Sequence, residues 1–343
     1  MFNQFRKKRG ARIGLSEAMH RPMRMLLALS LGLFTGLAEA APRVDPQLPA
    51  YVKTSGVAGV VSSVGSDTLA GLMSRWAQSF QRIYPRIQLQ IQAAGSATAP
   101  PALTEGTASL GPMSRLMNPA ERRAFEKRYG YAPTAVPVAI DALAVYVHQD
   151  NPLKGLTLAQ LDSLFSVNRR CGGQSVSRWR DLGVEGPLAV EHIQRYGRNA
   201  VSGTYSYFKE HALCGGDFLP NISELPGSAA VVQAISSSPN AIGYSGIGYR
   251  TASVKALALA RQADEPLVAA TPTNASNGSY PLARYLYVYV NQAPGQPLPP
   301  QQQELLNYML SREGQLQVVQ EGYVPLTAEV ASTSRKLYAD VNP

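Results

Sequence analysis

The stretch "GVVSSVGSDTLAGLMSRWAQSFQRIYPRIQLQIQAA", residues 59–94, changes its hydrophobic period twice. Its valine-rich start favours a buried strand, and the Gly-Ser-Asp-Thr of residues 65–68 is typical of a turn. Apolar residues then recur at helical spacing over 69–83, and a proline ends that pattern. Residues 86–92 alternate apolar and polar side chains, as a strand does. The stretch therefore predicts strand, turn, helix and strand, the unit of an α/β fold with a mainly parallel sheet.

Similar patterns follow along a chain of 343 residues, which is long enough for two domains. Residues 137–148 and 285–291 are predicted to be strands, because each is short, apolar and rich in β-branched or aromatic residues. Asn118 followed by Pro119 and Glu121 is typical of a helix start.

The first forty residues predict a cleavable export signal. A basic segment precedes the apolar run "MLLALSLGLFTGL", residues 25–37, and Ala38-x-Ala40 supplies a cleavage pattern. The apolar run is too short for a permanent membrane anchor. The whole chain has a formal net charge of +9, but residues 1–40 carry seven Lys/Arg and only two Asp/Glu. The mature protein is therefore predicted to be exported, mildly basic and without a nucleic-acid partner.

The mature part contains two cysteines, Cys171 and Cys214. An even count in an exported chain favours a disulfide, and two buried free thiols are the alternative. Two cysteines and four scattered histidines give no ligand pair at zinc spacing, so no metal is predicted.

Four short loops share small hydroxyl-bearing residues and a glycine: "GSDT" (65–68), "GSAT" (95–98), "GPMSR" (111–115) and "RNAVSGT" (198–204). Helical patterns follow them, and helix N-termini carry unpaired N–H groups and the positive end of the dipole. Ser and Thr hydroxyls add donors, and Arg198 adds a guanidinium suited to bidentate contact with an oxyanion. One such loop is ordinary helix-cap chemistry, but four in one chain predict an anion site.

Five segments in order make the chain from about residue 57 to about 330 similar to periplasmic phosphate-binding proteins of Pst-type ABC importers. They are "GSDTL", "GSATAPPALTEG", "SLGPMSRLM", "RYGRNAVSGTYSYF" and "SSSPNAIGYSGIGY". The resemblance implies a class II solute-binding fold of two α/β lobes, each a mainly parallel sheet flanked by helices. It also implies a periplasmic monomer that needs no cofactor, binds inorganic phosphate between its lobes and delivers it to an ABC permease.

The same resemblance divides the chain. Lobe 1 is predicted at 56–142 and 246–335, and lobe 2 at 143–245. Two crossover strands join the lobes, near 139–147 and 242–250, and both cysteines fall on lobe 2. Closure of the lobes about these crossovers is the implied way of capturing phosphate.

Carried over position by position, the family's phosphate contacts fall on all four loops: Ser66, Asp67, Thr68, Ser96, Ser114, Arg198, Ser202, Gly203 and Thr204. One position departs from the family pattern. Many members carry there an aspartate that accepts a hydrogen bond from protonated phosphate and repels sulfate, whereas this chain has Ser114. Asp67 and Asp141 are the candidate replacements, with a helix cap and a hinge carboxylate as their structural alternatives. Arg115 is a candidate second ligand arm, or else a solvated surface cation.

Other functions remain open at this point. A phosphatase-like enzyme of the same fold is disfavoured because His148, His192 and His211 are isolated in sequence. In addition, "GYSGI", residues 243–247, misses the G-x-S-x-G nucleophile pattern at its last position. A sensor or adhesive module of the same fold is another alternative. Within the binding class, sulfate or molybdate is the rival ligand, since Ser114 replaces the aspartate.

Overall fold

A computed structural model describes residues 43–339, and the predicted export signal lies outside this range. The strands are β1 Gly59–Gly65, β2 Ile87–Ala93, β3 Leu110–Met113, β4 Thr134–His148, β5 Gly155–Thr157, β6 Gln194–Arg198, β7 Ser223–Leu225, β8 Ala241–Gly246, β9 Val254–Ala256, β10 Ala258–Ala260 and β11 Ala283–Val290. The α-helices are α1 Ala70–Ile83, α2 Ala99–Thr104, α3 Pro119–Tyr129, α4 Leu158–Phe165, α5 Gly203–Ala212, α6 Ser228–Ser236, α7 Pro272–Ser276, α8 Pro300–Met309, α9 Arg312–Gln320 and α10 Ala328–Ala339.

The predicted strand–helix–strand unit of residues 59–94 is confirmed. β1 and β2 pair in parallel, with Gly59 opposite Ile87 at the start of the register. The apolar stripe of α1 buries Trp76 and Phe80 completely, which holds the helix against the sheet. The helix start at Asn118 is also confirmed, because Asn118 and Glu121 form a reciprocal capping box at the start of α3.

Two sheets share the long strand β4. The first sheet has the order β2-β1-β3-β11-β4, and the second has the order β4-β8-β6-β7 with β9 also paired to β4. Residues 134–142 of β4 pair with β11, whereas residues 143–147 pair with β8. In each sheet a parallel core lies beside antiparallel pairs, and β4 belongs to both sheets.

Strands β9 and β10 follow β8 in the chain and pair differently. β9 pairs with the last residues of β4, and β10 pairs in parallel with β5 to form a separate two-stranded sheet. The predicted lobe limits place residues 246–335 in lobe 1, and β9 and β10 of this range pair with β4 and β5. The chain re-enters the first sheet with β11.

In the described part of the chain, no helix combines the length and the apolar character needed to span a membrane.

Cys171 and Cys214 form the predicted disulfide, with a Cα–Cα distance of 5.5 Å. The bond ties the irregular segment after α4 to the residues that follow α5. Cys171 is further held by its N–H, which donates to Asp162 Oδ2 at 2.6 Å. The segment between α4 and β6 has little regular structure of its own, so the disulfide is its main covalent restraint.

Replacing Cys171 with serine is expected to lower the free energy of unfolding. The two cysteines are 43 residues apart, and in the chain-entropy model a loop of that length contributes about 4 kcal/mol. The measurement is the melting temperature of the wild type and of Cys171→Ser, each with and without reductant. Only the wild type should lose stability when reductant is added, and equal melting of all four samples would contradict the prediction.

Candidate functional site

The four predicted loops follow strand ends that meet at one place. Residues 66–68 and 95–98 follow β1 and β2, and of the predicted loop 111–115 only Ser114 and Arg115 follow β3, because residues 111–113 belong to that strand. The three strands run parallel. The fourth loop follows β6 of the second sheet and leads into α5. Parallel strands bring their carboxyl ends to one edge of a sheet, and this edge is where α/β proteins bind ligands. The loops of the first sheet thus meet the loop of the second.

Four hydroxyl groups from the two sheets meet in the interior. Thr68 Oγ1 lies 3.0 Å from Thr204 Oγ1, and Ser96 Oγ lies 3.2 Å from Ser114 Oγ. The Ser114 N–H also donates to Ser96 Oγ at 3.0 Å. All four side chains are almost completely buried. We call these residues, together with Ser66, Ser202 and Gly203, the hydroxyl cluster.

Gly203 allows this close approach. A Cβ added at Gly203 would lie 2.3 Å from Ser96 Oγ and 2.6 Å from Ser114 Oγ. Gly203 is also the first residue of α5, whose N-cap Ser202 accepts a hydrogen bond from the Thr204 N–H. The positive end of α5 is therefore directed at the cluster without an intervening side chain.

Arg198 is buried and holds the two sheets together. Its guanidinium donates to Leu225 O, Pro226 O and Ser228 Oγ, the last at 2.8 Å. Nη2 also lies 2.8 Å from Asp67 Oδ1, a charge contact outside the usual hydrogen-bond direction. Asp67 Oδ2 accepts from the N–H and hydroxyl of Ser228. The charge of Arg198 is thus balanced by Asp67, so the guanidinium does not add an unpaired positive charge to the hydroxyl cluster.

Two tyrosines fix the first loop. Tyr249 Oη donates to Asp67 O at 2.8 Å, and Tyr323 Oη donates to Thr68 O at 2.7 Å. Burial raises the pKa of both phenols above the usual value, so both remain protonated donors at neutral pH. These two bonds fix the backbone of the first loop at Asp67 and Thr68.

Two buried atoms of the first loop have no hydrogen-bond partner within residues 43–339: Ser66 Oγ and Asp67 Oδ1. A buried polar atom without a partner costs about 1–3 kcal/mol. One of these atoms is a hydroxyl that donates or accepts, and the other is a carboxylate oxygen that only accepts. Ser66 Oγ therefore offers a hydroxyl to a ligand, and Asp67 Oδ1 offers an acceptor whose one close neighbour among the described residues is Arg198 Nη2.

Arg284 is a site residue that the sequence analysis missed. From β11 its Nε and Nη2 donate to Asp141 Oδ2 at 3.0 and 2.8 Å, and Nη2 also donates to Thr204 Oγ1 at 2.9 Å. The side chains of this ion pair are 2% and 0% exposed. The sequence did contain a sign of this residue. Arg284 directly precedes the mostly apolar run "YLYVYV", residues 285–290, and a charged side chain that is buried in such a strand requires a partner.

The side chains of Asp141 and Arg115 bind other residues of the protein rather than pointing free towards a ligand in the hydroxyl cluster. Both Asp141 oxygens are occupied, since Oδ1 accepts from the Ile247 N–H at 2.9 Å and Oδ2 accepts from Arg284. Arg115 forms two bonds of 2.7 Å to Glu121 at the start of α3. The structure thus gives Asp141 and Arg115 internal partners and brings the other predicted residues into or beside the cluster.

Within residues 43–339 no group of three His, Cys, Asp or Glu side chains is placed to hold a metal ion.

Two α/β sheets linked by β4, with buried donors of both meeting between them, define a two-lobed solute-binding protein. The family model of the PBP superfamily domain matches residues 46–313. The phosphate-binding protein PstS of Pseudomonas aeruginosa is 57% identical over 319 residues, which are 93% of this chain and 98% of that protein. The chain belongs to this PstS family of phosphate-binding proteins.

More distant relatives agree with this assignment. PstS of Bacillus subtilis is 27% identical over 78% of this chain and 81% of its own length. A crystal structure from Clostridium perfringens, described as a phosphate ABC transporter substrate-binding protein with bound phosphate, has a TM-score of 0.66 and 27% identity. It covers 78% of this chain and 100% of that one.

Proposed function

We propose that the protein binds inorganic phosphate at the hydroxyl cluster and delivers it to an ABC-type import permease. The observation that carries the proposal is the convergence of buried hydroxyls from both sheets on the N-terminus of α5, beside the unpartnered Ser66 Oγ. Donors fixed in this way replace the water of an oxyanion without reorganising. The relatives' names support phosphate as that anion.

The contacts we assign to phosphate come from all four loops. They are the side chains or N–H groups of Ser66, Thr68, Ser96, Ser114, Ser202, Gly203 and Thr204. Arg198 and Arg284 contribute positive charge that Asp67 and Asp141 balance. The anion is therefore stabilised mainly by hydroxyl and amide dipoles and by the α5 N-terminus, and less by net charge.

Asp67 is the carboxylate that we propose in place of the aspartate missing at Ser114. Its Oδ1 makes no hydrogen bond of usual geometry among the described residues and contacts only Arg198 Nη2 at 2.8 Å, whereas Asp141 Oδ1 and Oδ2 both accept hydrogen bonds. A protonated phosphate oxygen donates to such an acceptor. Fully ionised sulfate has no proton to donate, and its oxygens are repelled.

Asp67→Asn is expected to weaken discrimination between the two anions. The amide offers an N–H to a sulfate oxygen, so the ratio of sulfate Kd to phosphate Kd should fall about tenfold or more. Asp141→Asn is the matched control. It should weaken the binding of both anions to the same extent and leave the ratio of sulfate Kd to phosphate Kd near that of the wild type. Competition titrations of the three proteins give the ratios. A ratio that stays constant in Asp67→Asn and falls in Asp141→Asn would contradict the assignment.

Capture proceeds by closure of two lobes about β4. We propose that residues 56–142 and 283–335 form lobe 1 and residues 143–282 form lobe 2. This division is supported by the pairing of β9 and β10 with β4 and β5. Contacts between the two sides, such as Thr68 with Thr204 and Asp67 with Arg198, then stabilise the closed form.

We further propose that the mature chain is exported to the periplasm, acts as a monomer and performs no catalysis. The basic and apolar segments of residues 1–40 support export. Proteins named for phosphate binding, among them the Pseudomonas aeruginosa relative, support a binding role rather than an enzymatic one. Calorimetric titration of the mature chain with phosphate tests the binding, and phosphate uptake by cells that lack this chain and its relatives tests the delivery.

A further inference from the structure

A cavity of about 600 Å³ lies next to the hydroxyl cluster. The segment after β3, one face of α5 and the start of β11 enclose it. Its lining residues are Arg115, Leu116, Met117, Asn118, Pro119, Ser206, Tyr207, Glu210, His211, Ala283, Arg284, Tyr285 and Tyr287. The volume is far larger than an inorganic oxyanion needs, and it lies in the range of small-molecule sites.

Two buried guanidinium nitrogens of this lining have no partner within residues 43–339: Arg115 Nε and Arg284 Nη1. The Arg284 side chain is only 2% exposed, and its Nε and Nη2 are already used on Asp141 and Thr204. The other nitrogens of Arg115 bind Glu121. The two remaining N–H groups are therefore donors without an acceptor among the described residues, and an oxygen of a ligand would satisfy them.

The remaining wall combines aromatic rings with polar side chains, among them Asn118, Glu210 and His211. Tyr207 stacks on His211 with ring centroids 3.9 Å apart and is held by a hydrogen bond from its hydroxyl to Ala283 O. Tyr285 and Tyr287 lie edge to face at 6.2 Å on β11. Burial raises the pKa of Tyr287 to about 12, so this ring is neutral at physiological pH. Such walls suit the flat or aliphatic body of an organic molecule.

We propose that this cavity binds a small organic carboxylate at the same time as the hydroxyl cluster holds its own anion. The carboxylate accepts from Arg115 Nε and Arg284 Nη1, and the body packs on Tyr207, Tyr285 and Tyr287. The occupant contacts α5 on one side and β11 on the other, so it stabilises the closed arrangement and slows release of the anion beside it. Arg284 is the shared residue, since it also donates to Thr204 Oγ1.

The experiment uses benzoate as the probe carboxylate and the mature protein saturated with phosphate. Calorimetric titration is expected to give one benzoate per chain with a Kd on the order of 1 mM. Arg115→Lys keeps a cation for Glu121 but lacks Nε, and its benzoate affinity should fall about tenfold. Arg122→Lys is the matched control, because Arg122 forms an exposed pair with Glu126 outside the cavity and should bind benzoate like the wild type.

A second variant tests the aromatic part of the wall. Tyr285 is 37% exposed, so Tyr285→Ala should fold normally and lose benzoate affinity several-fold while phosphate affinity is retained. Repeating the benzoate titration without phosphate separates this cavity from the phosphate site itself. The proposal is overturned if wild-type protein shows no benzoate binding, if Arg115→Lys and Tyr285→Ala both bind like the wild type, or if benzoate displaces phosphate.

Discussion

Arg198→Lys is expected to weaken phosphate binding about 100-fold. Lysine keeps the charge but cannot reproduce the planar set of bonds to Leu225 O, Pro226 O and Ser228 Oγ while also contacting Asp67. Asp67 then loses its fixed partner, and the first loop is no longer held against the second sheet. Phosphate affinity by calorimetry and melting temperature are the two readouts, because a buried pair also contributes to stability.

Arg195 provides the matched control for Arg198. It lies on the same strand, β6, and is also buried, but it donates to the backbone carbonyls of Leu164, Val176 and Ile193, away from the cluster. Arg195→Lys should lower the melting temperature and leave the phosphate Kd within about twofold of the wild type. Equal losses of affinity in Arg195→Lys and Arg198→Lys would mean that the effect is one of stability alone.

Gly203→Ala should abolish tight binding while each sheet still folds. The new methyl group would lie 2.3 Å from Ser96 Oγ and 2.6 Å from Ser114 Oγ, so the closed contact between the sheets is sterically blocked. Gly203 is the first residue of α5 and has no positive φ, and alanine is a good helix former, so the backbone of α5 accepts the substitution. We therefore expect phosphate affinity to fall at least about 100-fold, since the closed form becomes a minor population.

Gly227→Ala is the control for the methyl group. Gly227 is the N-cap of α6, has a φ of −139°, and has nothing within 4 Å of an added Cβ. This variant should bind phosphate like the wild type. Unchanged affinity in Gly203→Ala, measured by the same titration, would show that phosphate binding does not require the closed contact described here.

The architecture was largely predictable because hydrophobic period is a local property. The change of period within residues 59–94 depends only on neighbouring residues, and β1, α1 and β2 follow it. The four hydroxyl-bearing loops could also be found in the sequence, since their composition is local, and the parallel strands then bring three of them to one edge. The disulfide could be predicted because the part of the chain after the predicted export signal contains two cysteines, an even count.

The partners of the charged residues were not predictable in the same way. Arg284 meets Asp141 only because β11 pairs antiparallel with β4 in one register, across 143 residues of chain. Arg115 and Arg198 look alike in sequence as cations beside glycine loops. In the structure Arg115 pairs with Glu121, the capping glutamate of α3, whereas Arg198 pairs with Asp67. Such choices depend on tertiary distances, which periodicity does not encode.

The lobe limits show the same dependence. The sequence predicts the second crossover near residues 242–250, within and just after "AIGYSGIGY", and predicts that lobe 1 resumes at residue 246. The structure adds that β9, Val254–Ala256, pairs with the end of β4, and our proposed limits differ from the predicted ones for this reason. Three-residue strands such as β9 and β10 have no measurable period of their own, so only their partners reveal on which side they lie.

Calorimetric titration of the mature wild-type chain with inorganic phosphate, in the absence and presence of a large excess of sulfate, tests the central claim most directly. We predict one phosphate per chain, tight binding and a phosphate Kd that sulfate leaves unchanged. The absence of binding heat with phosphate, or equal competition by sulfate, would contradict the assignment of the hydroxyl cluster and Asp67 as a phosphate site.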